Sequence, residues 1–235
     1  MIGKYLNKLK EDGWLADMPD LIRLMNTNYG RTLMIGYKNL KPGALYKSSI
    51  HGRDHVERVM LFGALIAMKQ KLSIDDTRLL LIACSYHDCG RINDYCDPKH
   101  GMRSAKKLNS IDVKLSDCDK RLIQAAIAAH SLDDDMICEC MDTFRVKNRD
   151  RCEFIFKCLK DADALDRVRF AGLNQKYLRL DMSKDIAKYA MKIFERDVIG
   201  NNIFKSISSP PGSKNRKRPV WHRCGPSEKL TEEIP

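Results

Sequence analysis

No run of apolar residues in this 235-residue sequence reaches the ~18 that a bilayer-spanning helix needs, because charges interrupt every greasy segment. The opening stretch MIGKYLNKLKEDGW lacks the apolar region of a signal peptide. A cytoplasmic protein without a membrane partner is therefore expected. CxxC pairs are also missing, and CEC at Cys138 and Cys140 stands alone, which argues against a cysteine-built zinc knuckle. The nine cysteines are an odd number in a chain too long for a small disulfide scaffold, so they read as reduced thiols. Alternating strand patterns are scarce and no internal repeat is present. There is no GxSxG, no GxxxxGK[ST] and no supported Ser-His-Asp arrangement, which excludes serine-hydrolase chemistry and P-loop nucleotide binding.

What the chain does have is a supply of apolar residues, 43% of the total, enough for one substantial domain. They recur at helical spacing: Leu21, Ile22, Leu24 and Met25; Val56, Val59, Met60, Gly63 and Ile66; Leu79 to Ala83; Leu122, Ile123, Ala126 and Ile127. Helix starts are marked near Asp20, by Ser73 in SIDD, by Ser116 before DCDK, and by Ser183 before KDIAKYAMKIFERDV. Gly90 fits a C-terminal helix stop, and the ring of Pro98 suits the first turn of another helix. The pattern predicts an all-α protein of roughly eight to ten helices. It divides into an N-terminal helical extension over residues 1–44, a main domain over 45–204, and a tail over 205–235 rich in Pro, Ser, Gly and charge that should be flexible.

The formal charge of +11 suggests nucleic acid until it is divided along the chain. Residues 1–50 carry +4, residues 51–204 only +3, and residues 205–235 again +4. The body is nearly balanced, which argues against a broad phosphate-tracking face and leaves nucleic acid, through KNRKRP in the tail, the less favoured partner. Oligomeric state is not encoded in these features.

Five of the six histidines fall between positions 51 and 130. His51 and His55 in HGRDHVERV stand one helical turn apart, on one face if the helix has already begun. His87 and Asp88 end the apolar run IACSYHDCGR, where the last turn lets both point to one place. His100 opens a further helix, His130 in AIAAHS closes another, and LKDADALDRVR brings Asp161, Asp163 and Asp166 near a helix end. A single histidine at a helix end is commonly a capping or surface residue. Several in one chain, mixed with aspartates, form the donor set of a mononuclear or dinuclear metal site. Asp166 is expected to pair with Arg167, Arg169 or a backbone donor, and spacing alone does not choose between Asp161 and Asp163.

In order, HVERV, YHDCGR, HGMRSA, AAHS and KDADALD resemble the motif series of the HD superfamily of metal-dependent phosphohydrolases. The resemblance covers roughly residues 45–170 and implies a single all-α HD-type domain. It implies that His55, His87, Asp88 and Asp161 bind one divalent ion, with Asp161 as the first acid of the D-x-D-x-x-D stretch. It further implies that His100 and His130 hold a second ion bridged by Asp88. Ser131 follows His130 where the HD-GYP phosphodiesterases have a histidine pair, and no GYP follows, which makes cyclic-di-GMP hydrolysis doubtful.

The activity so implied is hydrolysis of a phosphate ester or phosphoanhydride in a nucleotide or other small phosphorylated metabolite. One or two ions of Mn, Mg, Fe, Co or Ni would serve. Asp88 is the expected catalytic centre, Arg58 and Arg91 the candidates to hold a phosphate, and His51 a supporting partner or general acid. Ordinary ion pairs, with Glu57 or Asp94 for instance, are the plain alternative for both arginines. Two rivals use the same residues or fold: an HD-type di-iron oxygenase, and a non-catalytic ligand sensor or nucleic-acid-binding protein.

Overall fold

The computed structural model describes residues 17–170 and 172–208, from residue 195 onward as helix backbone only. Among the described residues there is no strand, and nine α-helices follow one another. They are α1 (Pro19–Met25), α2 (Asn28–Asn39), α3 (Arg53–Lys69), α4 (Ile74–Tyr86), α5 (His100–Lys107), α6 (Asp117–Ala129), α7 (Ile137–Thr143), α8 (Arg149–Leu165) and α9 (Asp181–Ser208). Residues 1–16, where the expected extension begins, and 209–235, most of the expected tail, lie outside the described residues. The part of that tail which is described, up to Ser208, continues α9.

The centre of the structure is α3. Every residue from His55 to Met68 is buried, so this helix has no solvent face and must be enclosed on all sides. Packed on it are α4, α8, α2, α9 and α1, while α6 closes the core against α4 and α8 and packs also on α5. The α1–α2 segment joins this same core: Leu21, Leu24 and Leu33 are buried, and the Tyr37 hydroxyl donates to the Glu57 carbonyl at 2.6 Å.

Two of the marked helix starts are caps of the expected kind. Ser73 Oγ accepts from the Asp76 amide at 3.0 Å and Ser116 Oγ from the Asp119 amide at 3.1 Å, each satisfying an orphan donor of a first turn. Ser183 does not cap. The last helix begins at Asp181, and Ser183 lies inside its first turn with a buried hydroxyl that has no partner.

Gly90 also differs from its expected role. Helix α4 ends at Tyr86, and Gly90 does not take up the left-handed conformation of a helix stop. A side chain there would meet the Ser104 amide nitrogen at 2.3 Å, so glycine is required because the doublet loop presses against the backbone of α5. Seven cysteines, including buried Cys84, Cys89, Cys140, Cys152 and Cys158, are free thiols as expected, whereas Cys96 is disulfide-bonded.

The α5–α6 crossing sets how close two of the histidines come. A Cβ on Gly101 would lie 2.7 Å from the Ile127 and Ala128 carbonyls and 2.6 Å from Ser131 Oγ. Gly101→Ala should therefore lower the chemical-denaturation midpoint, costing about 1–3 kcal/mol by overpacking. Gly43→Ala, where nothing lies within 4 Å of the added carbon, should leave the midpoint unchanged. Equal midpoints for the two variants would contradict this account of the crossing.

Candidate metal centre

One local device recurs three times around the buried cluster. His87 follows α4, His130 follows α6 and His100 opens α5, and each ring turns back to donate from Nδ1 to the carbonyl three residues earlier. The acceptors are Cys84 O at 2.9 Å, Ile127 O at 2.6 Å and Asp97 O at 2.5 Å. Cys84 and Ile127 belong to last turns, whose carbonyls have no intrahelical partner. A carbonyl only accepts, so Nδ1 carries the hydrogen and Nε2 presents its lone pair to the interior.

His55 reaches the same result by another route. It sits in the first turn of α3 and donates from Nδ1 to Asp166 Oδ2 at 2.7 Å. Asp166 in turn accepts from Arg58 Nε at 2.5 Å, Arg58 Nη2 at 3.0 Å and Arg169 Nη1 at 2.6 Å. Burial would raise the Asp166 carboxyl, but the His55 hydrogen bond and the charges of Arg58, His55 and Arg169 lower it to about 2.

Four Nε2 atoms thereby converge on Asp88, which is 2% exposed. Its two oxygens divide them into pairs. Oδ2 lies 3.5 Å from His55 Nε2 and 3.6 Å from His87 Nε2; Oδ1 lies 3.0 Å from His100 Nε2 and 3.7 Å from His130 Nε2. Within the pairs, the Nε2 atoms of His55 and His87 are 3.1 Å apart and those of His100 and His130 are 3.0 Å apart. Lone pairs at such distances repel unless a proton or a cation lies between them. Asp88 Oδ1, moreover, has no hydrogen-bond partner. Buried nitrogen and carboxylate donors with converging lone pairs fit one or two divalent ions.

Asp163 completes the first pair, with Oδ1 at 3.3 Å from His55 Nε2 and 3.6 Å from His87 Nε2. Among the described residues, the groups suited to a metal are His55 with His87 and Asp163, and His87 with Asp88 and His130. Asp161 is not among them, which corrects the ligand expected from the motif. Two positions along a helix turn about 200°, so Asp161 points away from Asp163. Its carboxylate accepts instead from the Arg179 and Leu180 amides at 2.9 to 3.0 Å and anchors the segment before α9. Helical phase gave no warning, because Leu159 beside Asp163 and Leu165 beside Asp161 are both buried.

The other expected site residues take up defined places. Arg58, expected to reach a phosphate or Asp88, commits its guanidinium to Asp166. Arg91 approaches Asp88 itself, Nε to Oδ1 at 2.8 Å, as an ion pair outside hydrogen-bond geometry. His51 lies edge-on to His55, ring centres 5.8 Å apart, and donates from Nδ1 to Asp94 Oδ1 at 3.0 Å. The expectation of an arginine partner for Asp166 is met by Arg169, and also by Arg58, 108 positions away in sequence. Sequence reasoning named Arg169 as a partner for Asp166 but not as a neighbour of His55, and did not name Asp94 for His51; Arg169 lies in the 3-10 turn Asp166–Phe170 and Asp94 in the loop before α5.

Burial works against charge on these imidazoles and neighbouring carboxylates decide the outcome. Desolvation lowers His130 and His51 to about 4 in spite of Asp88. His55 is desolvated too, and Arg169 opposes its charge, but Asp163, Asp166 and Asp88 together raise it to about 9. Asp88 and Asp163 resist the upward push of burial and stay well below the usual carboxylate range because histidines surround them.

Comparison with known proteins places these residues in a family frame. The HD domain family model matches residues 52–168, which span α3 through α8 and every residue of the cluster. No curated protein and no solved structure matches the chain.

Two outcomes test the geometry. Asp163→Ala should cut divalent-cation affinity by at least about a hundredfold. Asp161→Ala should leave affinity nearly unchanged while stranding two part-buried amides, at up to about 1 kcal/mol each, read by calorimetric titration and urea unfolding. Reversed effects would restore Asp161 as the ligand. The second concerns pH in the chelated protein. His51 and His130 titrate lower folded than their usual 6.5, so stability falls as pH drops from 6.5 towards about 4. His55 titrates higher, so its contribution is complete below 6.5 and fades as pH rises through about 9. The urea midpoint in chelator should peak near the 6.5 reference; a monotonic pH trend would contradict these assignments.

Proposed function

Because the chain belongs to the HD superfamily, we propose that it is a metal-dependent phosphohydrolase acting on a nucleotide or other small phosphorylated metabolite. The observation that carries this reading is the convergence of four inward-facing Nε2 atoms on the buried carboxylate of Asp88. In this reading His55, His87, Asp163 and Asp88 would hold one divalent ion, and His100 and His130 with Asp88 would hold a second. Such ions supply a nucleophilic water at neutral pH and offset charge on the phosphoryl oxygens.

The chain's own residues do the rest. The Nδ1 hydrogen bonds to Cys84, Asp97, Ile127 and Asp166 keep all four rings oriented before any substrate arrives. Asp94 holds the Nδ1 hydrogen of His51, which leaves its Nε2 free to accept a proton beside the cluster. Arg91, 11% exposed at its side chain and against Asp88, offers a guanidinium to a substrate phosphate. No helix among the described residues is long and apolar enough to cross a membrane.

The test is a screen of the full chain, with Mn, Mg, Co, Ni and Fe in turn, against nucleoside mono-, di- and triphosphates and cyclic dinucleotides. Turnover with at least one metal is expected, abolished by Asp88→Ala. His51→Ala should retain metal and lose about 10²–10⁴-fold in kcat. Dioxygen-dependent turnover with two bound irons, and none of any phosphate ester, would replace hydrolysis with oxygenation.

A further inference from the structure

Within that metal-dependent reading the two halves of the cluster are built unequally. His87, His100 and His130 are backed by neutral carbonyls, while His55 alone is backed by a charged group. That group, Asp166, is 1% exposed and is gripped from both sides, by Arg58 of α3 and by Arg169 of the turn after α8. Arg169 Nη1 comes within 3.0 Å of His55 Nδ1, and its Nε is buried with no partner.

The charge beside His55 makes this clasp consequential. Arg169 Nη1, 3.0 Å from His55 Nδ1, puts a positive charge directly behind that ring, in a place where solvent screens poorly. A cation held by His55 feels that charge at closer range than one held by His100 and His130, whose supports carry none. Asp166 therefore does two things for the His55 side: it accepts the Nδ1 hydrogen, strengthening the opposite nitrogen as a donor, and it offsets the charge of Arg169, which it meets at 2.6 Å. We propose that Asp166 is a positioning residue that sets divalent-cation affinity at the His55–His87–Asp163 position separately from the His100–His130 position. Arg169 is its counterweight, holding that affinity below what the ligands alone would give.

The experiment is calorimetric titration of the full, chelator-treated chain with Mn²⁺ alone, so that it reads metal binding and not turnover. Two steps are expected for the unaltered protein. Asp166→Asn keeps an oxygen acceptor for His55 but removes the charge, and should weaken the step lost in Asp163→Ala by about 10–100-fold while sparing the other. Adding Arg169→Gln to Asp166→Asn should recover much of that loss, which a merely structural defect would not allow. Arg169→Gln alone should tighten the same step and decides the matter if Asp166→Asn fails to fold. Equal weakening of both steps, no weakening, or an Arg169→Gln variant that binds as the unaltered chain overturns the proposal. Mn²⁺ binding with this pattern but without phosphate-ester turnover would overturn hydrolysis and leave the clasp standing; no Mn²⁺ binding at all overturns both.

Discussion

A carboxylate almost wholly removed from water must be met by positive charge or by donors, and the structure is organised around that demand at Asp88. Burying it needs walls, and α3, α4, α6 and α8 supply them with a core of Leu, Ile, Val, Ala and Met side chains. Offsetting it needs cations, and among the described residues no lysine pairs with it. The nearest groups are four imidazoles, whose own Nδ1 hydrogens are already committed elsewhere, and the guanidinium of Arg91. A site with this much negative and lone-pair density and so few donors is stable when cations occupy it. Packing and chemistry are thus two sides of one constraint.

Secondary structure contributes directly to that chemistry. Helices expose unsatisfied carbonyls at their last turns, and His87 and His130 use those carbonyls to lock a tautomer. Gly90 and Gly101 let the backbone of α5 close upon the doublet loop and upon α6, which brings His100 to the Asp88 oxygen left over by His55 and His87. The His55 side is supported differently, through Asp166 and two arginines, so a cluster with near-symmetric ligands has asymmetric surroundings. The HD family match covers all of these ligands, and the arginine Arg169 lies just beyond it.

Much of this is legible in the order of the amino acids. The helical spacing of apolar residues set the fold class, the Ser73 and Ser116 caps set two helix starts, and the histidines at helix ends marked where the cluster would lie. The misreadings have a common character. Asp161 and Asp163 are two positions apart in one helix, and which one faces the cluster depends on a loop that supplies the Arg179 and Leu180 amides to the other. Arg58 has its partner 108 positions away, where adjacency along the chain suggested Glu57 or Asp94.

The sequence by itself determined what is periodic or local: an all-α fold, helix-terminal histidines, and an aspartate placed to sit among them. Tertiary structure alone decided which lone pairs meet. It divided the oxygens of Asp88 between two histidine pairs, chose Asp163 over Asp161, and turned Asp166 with Arg58 and Arg169 into a clasp behind His55. The reason is physical: a residue's tendency to form or end a helix acts over a few neighbours. The direction of a buried carboxylate is settled by charges and donors that only the folded chain brings within about 4 Å.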